Sequence, residues 1–137
     1  MKDRIFVDSN VFIYLIDRRD SFKTKMAVAF FKSIAESEIN ISTQVVKEFC
    51  QAAIKKFQFS EAEVLSNLAV FDQILIADTP KTIIEKAISL KFKHQLSFYD
   101  SVIVASALAS NCDILYSEDM QHSQKIEGLQ IINPFAN

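Results

Sequence analysis

Short apolar runs alternate along this chain with stretches whose apolar residues recur at helical spacing. Ile5-Phe6-Val7 ends at Asp8-Ser9-Asn10, Ile39-Asn40-Ile41 ends at Ser42-Thr43, and Ile114-Leu115-Tyr116 ends at Ser117-Glu118-Asp119. A strand covered on both faces reads as an apolar run, and short polar side chains just after it satisfy the free N–H groups of a helix start. Each of the three therefore reads as a buried strand leading into a helix. Ile74-Leu75-Ile76 and Ile131-Ile132, bounded by polar residues or Pro, are further strand candidates.

Between these runs the period lengthens. Phe22, Met26, Phe30 and Ile34 recur every four residues. Val64, Leu65, Leu68 and Phe71 form a second stripe, opened by Ser60 with Glu63 three residues on, the pattern of a capping box. Thr79-Pro80 predicts the start of a helix with Ile83, Ile84, Ala87 and Ile88 on one side. The segment from Val102 to Ala109 is apolar nearly all round, which predicts a helix buried on most faces. Strands alternating with helices predict an α/β fold: a three-layer α/β/α domain with a central parallel sheet covered on both faces. No repeat, linker or shift in composition divides residues 1–137, so one domain is expected.

Composition narrows the function classes. With a single glycine, Gly128, the chain can spell no P-loop, no dinucleotide-binding G-x-G-x-x-G and no G-x-S-x-G elbow. Only two histidines, His94 and His122, are present, too few for a His-rich zinc site. Cys50 and Cys112 sit among apolar residues and are expected as reduced core thiols, with one bridge left open as the alternative. The opening residues meet Asp8 after three apolar positions, unlike a signal peptide, and no run has the length of a membrane span. A cytoplasmic location with no membrane partner is the expectation.

A formal net charge of −2 speaks against gripping nucleic acid by charge alone. If nucleic acid is the substrate, a divalent cation must offset the carboxylates, and the sequence indicates which ones. In open parallel sheets ligands collect beyond the carboxyl ends of the strands. Asp8 and Asp119 follow two such ends, Asp100 opens the buried helix, and Asp113 begins its strand and belongs to the opposite edge. Each of the first three has a bland role available: Asp8 as a helix cap, Asp100 as the partner of Ser97 in a capping box, Asp119 as a charge on a helix dipole. Glu48 points away from the Val45, Val46, Phe49, Ala53 stripe and on pattern alone is a solvated side chain. Capping does not require three aspartates to converge, however. A convergent set of carboxylates without His or Cys is an oxygen-rich ligand set suited to Mg²⁺ or Mn²⁺.

Four stretches carry a resemblance to a known family. They are Val7-Asp8-Ser9-Asn10-Val11, residues 41–49 from Ile41 to Phe49, residues 97–105 from Ser97 to Ala105, and Ser117-Glu118-Asp119-Met120-Gln121-His122. With Glu127-Gly128-Leu129 and Asn133-Pro134-Phe135 at the end, the chain resembles the PIN-domain ribonucleases, and among them the VapC-type toxins of toxin–antitoxin pairs. The resemblance implies a PIN-like fold and a Mg²⁺- or Mn²⁺-dependent endoribonuclease acting on RNA. It implies that Asp8, Glu48, Asp100 and Asp119 form the catalytic metal site, with Asn10 and Ser117 supporting it by hydrogen bonds. It also implies a homodimer and an antitoxin whose C-terminal segment occupies the acidic cleft. Tyr99 stands where many relatives carry Trp, and Ser123 where many carry Gly. Glu118 is a further acid beside Asp119.

His122 is expected at the surface with nothing fixing its orientation. Lys55-Lys56-Phe57 and Lys91-Phe92-Lys93-His94 mix cations with rings as nucleic-acid surfaces do, and equally read as solvated helix ends around one buried ring. The competing function is a catalytically inactive PIN-like module that binds RNA or protein. The retention of all four acids disfavours it. A phosphoacceptor domain of the receiver type fits poorly, because Asp8 is followed by Ser9 and Asn10 rather than by further acids.

Overall fold

The computed structural model describes residues 3–136; Met1, Lys2 and Asn137, the ends of the expected 1–137 domain, lie outside the described residues. The strands are β1 (Arg4–Val7), β2 (Glu38–Ser42), β3 (Leu75–Ala77), β4 (Ile114–Tyr116), β5 (Lys125–Ile126) and β6 (Leu129–Ile132). They form one sheet in the order β3-β2-β1-β4-β6-β5, parallel throughout except for the β5–β6 pair. The helices are α1 (Ser9–Ile13), α2 (Ser21–Ser33), α3 (Thr43–Lys55), α4 (Glu61–Asn67), α5 (Lys81–His94) and α6 (Phe98–Ala109).

The layers follow from the direction in which the chain crosses the sheet. It steps from β1 to β2 to β3, then returns past both to β4. Right-handed crossovers put α1 to α4 on one face and, because the step reverses, α5 and α6 on the other. The result is the expected three-layer α/β/α arrangement. Strand order reverses between β1 and β4, and at such a switch point the connections part and open a crevice beyond the strand ends. Asp8 follows β1 there and Ser117 follows β4; the Asp8 N–H bonds to the Tyr116 carbonyl at 2.9 Å.

The core is largely aromatic on the first face. Phe12 packs against Phe31 and Phe71 with ring centroids 4.9 and 5.0 Å away, and Phe49 meets Phe71 edge-on at 5.1 Å. On the other face, residues 101–107 of α6 are all buried, which matches its apolar run and leaves the helix no solvated side there. Both cysteines are free thiols, Cys112 buried and Cys50 half-buried.

Three expectations are corrected. No helix follows β4: residues 117–124 form a loop that feeds a hairpin, because β5 must return antiparallel before β6 can pair with β4. Its two-residue turn, Glu127 and Gly128, has positive φ at both positions (49° and 89°), the geometry for which Gly is favoured. Second, the sheet is not covered at its far edge, where Leu75 and Ile76 of β3 are 55% and 46% exposed. Third, several stripe residues face solvent. Phe22, Leu65, Ile84 and Ile88 are exposed, while Ala27, Val64, Ala87 and Leu90 make the buried contacts of their helices. The capping box of Ser60 and Glu63 is present, with both reciprocal bonds formed.

Candidate active site

Asp8 stands where the chain leaves β1, and its backbone geometry makes it the N-cap of α1. Its carboxylate is buried, 4% exposed, and every oxygen is engaged. Oδ1 accepts from the Ser9 N–H at 2.7 Å. Oδ2 accepts from the Ser117 hydroxyl at 2.9 Å and from the Asn10 amide at 3.4 Å. Asn10 also donates to Ser117 Oγ at 3.4 Å and accepts, through Oδ1, from the Glu118 N–H at 3.1 Å. These bonds tie the end of β1 to the end of β4 and fix the plane of the Asp8 carboxylate.

All the donors to Asp8 are neutral. Burial raises its pKa to about 7, opposed by the Ser117 and Ser9 bonds and reinforced by the charges of Glu48 and Asp100. The other buried aspartate behaves differently. Asp17, 5% exposed, pairs with Arg19 Nε at 3.5 Å and Lys23 Nζ at 4.0 Å, so its charge is met by cations of the protein itself. Asp8 has no such partner among the described residues.

Glu48 lies half-buried on α3, not free in solvent as its place on the helix suggests, because α3 packs across α1. Ser9 Oγ donates to Glu48 Oε1 at 3.0 Å and lies 3.5 Å from Asp8 Oδ1, so one hydroxyl spans the two acids. Ser97 Oγ caps α6 by accepting from the Asp100 N–H at 3.2 Å. Burial raises the pKa of Asp100, the Ser97 bond lowers it, and the charge of Asp119 raises it. Asp119 is exposed on the loop after β4 and caps no helix, which removes the bland role available to it in the sequence. Glu48 and Asp100 stand near enough to Asp8, and Asp119 near enough to Asp100, for their charges to act on one another, with Asp8 buried and Asp119 exposed. Among the described residues no group of three or more His, Cys, Asp or Glu side chains is gathered at metal-ligand spacing. Carboxylates without a counter-charge repel one another, so a spread set is the arrangement expected of them alone.

Several neighbours differ from expectation. Glu118 accepts from the Tyr14 hydroxyl. Tyr14 in turn stacks on Phe135 with centroids 4.4 Å apart. His122 is oriented, since its Nδ1 accepts from the Asn133 N–H at 3.0 Å. Ser123 has φ of 69°, the left-handed region that favours Gly. Lys56 and Arg19 lie over the buried ring of Phe57, but Phe92 is 75% exposed, so the second basic-aromatic run surrounds no buried ring. The linking role of Ser9 is absent from the sequence reading; its only signal there is a polar residue between two others directly after a strand.

Comparison with known proteins completes the picture. The profile of the PIN domain family matches residues 5–126. Among curated protein sequences there is no match. A toxin–antitoxin complex from Klebsiella pneumoniae superposes with a TM-score of 0.74 at 19% identity, over 96% of this chain and 98% of that one. VapC20 of Mycobacterium tuberculosis, described as a toxin that cleaves the sarcin–ricin loop, gives 0.69 at 17% identity over 84% and 89%. DNA-bound VapBC of Salmonella typhimurium gives 0.62 at 20% over 96% and 97%. At these identities the likeness is one of fold.

Proposed function

The chain belongs to the PIN domain family, and from that premise we propose that it is a metal-dependent endoribonuclease, the toxin of a toxin–antitoxin pair. The observation that carries this reading is the buried Asp8 carboxylate at the switch point of the sheet, held by neutral donors only, with the charges of Glu48 and Asp100 acting on it. A buried carboxylate without a counter-charge is costly to ionise, and a bound cation removes that cost. An all-oxygen donor set fits Mg²⁺ or Mn²⁺. Asp8 would hold the ion, with Glu48, Asp100 and Asp119 supplying further oxygens.

When bound, such an ion supplies an activated water and offsets the charge that develops on the phosphate. The protein's own part is orientation. Ser117 and Asn10 hold Asp8, and Ser9 holds Glu48. Ser97 caps the helix that presents Asp100. Residues 1–137 are read as one nuclease domain. Two of the similar structures are a toxin–antitoxin complex and DNA-bound VapBC, which supports an antitoxin as partner; on this proposal its C-terminal segment covers the acids and the chain pairs with a second copy of itself. Among the described residues no helix is long and apolar enough to cross a membrane.

The test is cleavage of end-labelled total RNA in Mg²⁺, Mn²⁺ or EDTA by wild type and by Asp100→Asn. Ion-dependent cutting that disappears in the variant, with 5′-phosphate and 3′-hydroxyl products, is the expected result. Products ending in 2′,3′-cyclic phosphate, or cutting indifferent to EDTA, would refute it.

A further inference from the structure

Beside the acids lies a cavity of about 340 Å³, bounded by the first turns of α3 and α6 and the start of α5. Its walls include Gln44, Lys47, Thr79, Ile84, Phe98 and Tyr99. None of the four acids lines it, but two helices join it to Glu48 and Asp100. Gln44 stands one turn before Glu48 on the same face of α3, Lys47 directly precedes Glu48, and Tyr99 directly precedes Asp100. The volume falls in the range of small-ligand clefts, roughly 300–1,000 Å³.

The wall chemistry is specific to a flat, polar-edged ring. Tyr99 and Phe98 are 66% and 38% exposed, in an edge-on contact with centroids 5.3 Å apart. Their faces are left in water where a planar group could stack. Gln44 is tethered across the cavity by its Nε2 bond to the Tyr99 carbonyl at 3.4 Å, which leaves its Oε1 and one N–H unused by the protein. The Thr79 hydroxyl in the same wall has no hydrogen-bond partner. Lys47 is in no ion pair among the described residues and is placed for a phosphate. An aromatic platform, a tethered amide and a free cation next to a phosphate-cutting site match one nucleotide: ring, edge and backbone.

We infer that this cavity is a nucleobase subsite, which takes the base of an RNA nucleotide flanking the cut, stacks it on Tyr99 and reads its edge with Gln44. The inference rests on the nuclease reading above and deepens it. It makes Tyr99 and Gln44 determinants of where the RNA is cut rather than of whether it is cut.

The experiment is fluorescence anisotropy of a fluorescein-labelled single-stranded RNA of mixed sequence, titrated in EDTA with wild type, Tyr99→Ala, Tyr99→Phe and Gln44→Ala. Light scattering and thermal melts accompany each protein. Stacking of one base is worth enough that Tyr99→Ala should weaken binding roughly 5- to 100-fold, with Tyr99→Phe close to wild type. In a parallel cleavage of end-labelled RNA in Mg²⁺ or Mn²⁺, Gln44→Ala should change which nucleotides border the cut. Wild-type affinity in Tyr99→Ala overturns the subsite. So does a variant that falls from dimer to monomer with its RNA affinity intact, since the face then serves a second copy of the chain. RNA that binds with this pattern but is never cut in Mg²⁺ or Mn²⁺ refutes the nuclease and leaves the subsite standing. Cutting with unchanged positions and affinity in both variants refutes the subsite alone.

Discussion

Asp8 and Asp17 are equally hidden from solvent, yet only Asp17 is met by cations of the protein. The difference has a measurable sign. An aspartate in an unfolded chain titrates near its ordinary value of 3.8, whereas burial pushes folded Asp8 up to about 7. The folded state therefore holds its proton more tightly. The stability this contributes is fully present below about pH 4 and is lost as pH rises to about 7, a change on the order of 4 kcal/mol. Asp100, also raised, acts in the same direction. Denaturant unfolding in EDTA should show this decline, and Asp8→Asn should flatten it and stabilise the metal-free protein at neutral pH. Metal and proton compete for the same oxygens, so Mn²⁺ affinity should fall as pH drops below about 7. Calorimetric titration across that range checks it. Ser9→Ala removes the hydroxyl that holds Glu48 and should weaken Mn²⁺ binding roughly 10- to 100-fold, with Ser9→Thr restoring it. Asp8 is legible in the sequence because it sits directly at a strand end, whereas Asn10 and Ser117 enter as its supports only through the family resemblance. The Ser9–Glu48 link is not legible, since it depends on how α3 crosses α1, which no local pattern encodes.

At the scale of elements, the legible parts are those with strong periodicity and few alternatives. The central strands and the buried α6 follow from unbroken apolar runs, and truncating Ile103 to Ala within α6 should cost about 2–5 kcal/mol in equilibrium unfolding. The missed parts are irregular. Ser117-Glu118-Asp119 has the chemistry of a helix start, but the chain needs those residues to turn back towards β5, and the hairpin prevails over the cap signal. In that loop Ser123 is held at a φ of 69°. Ser123→Gly relieves the Cβ conflict and should raise stability by up to about 1 kcal/mol, read as a shift in the denaturant midpoint. Strand β3 reads as buried in sequence because apolar runs report hydrophobicity and not position in the sheet. Only the strand order shows it to be an edge.

For the molecule as a whole, alternation of strands and helices is enough to predict the three layers. The order of strands is not encoded in any run, and that order is what sets β1 beside β4 and opens the crevice between them. Net charge acts at this scale too. A protein of charge −2 cannot hold RNA through a long track of phosphate contacts. The logarithm of its RNA affinity should fall with the logarithm of salt by a slope no steeper than about −2, equivalent to roughly three contacts on a single strand. A steeper slope in anisotropy titrations would mean that cations elsewhere on the surface take part.

Strand β4 lies between β1 and β6 in the sheet, and its end carries the serine that holds Asp8. During synthesis Asp8 and Glu48 are made well before β4 is pinned on its far side by residues 129–132. Pairing of β4 with β1, which lies at the other end of the described residues, comes late in folding. A nascent chain therefore carries Asp8 and Glu48 for much of its translation without the frame that organises them, and the proposed site is assembled only as β6 docks on β4.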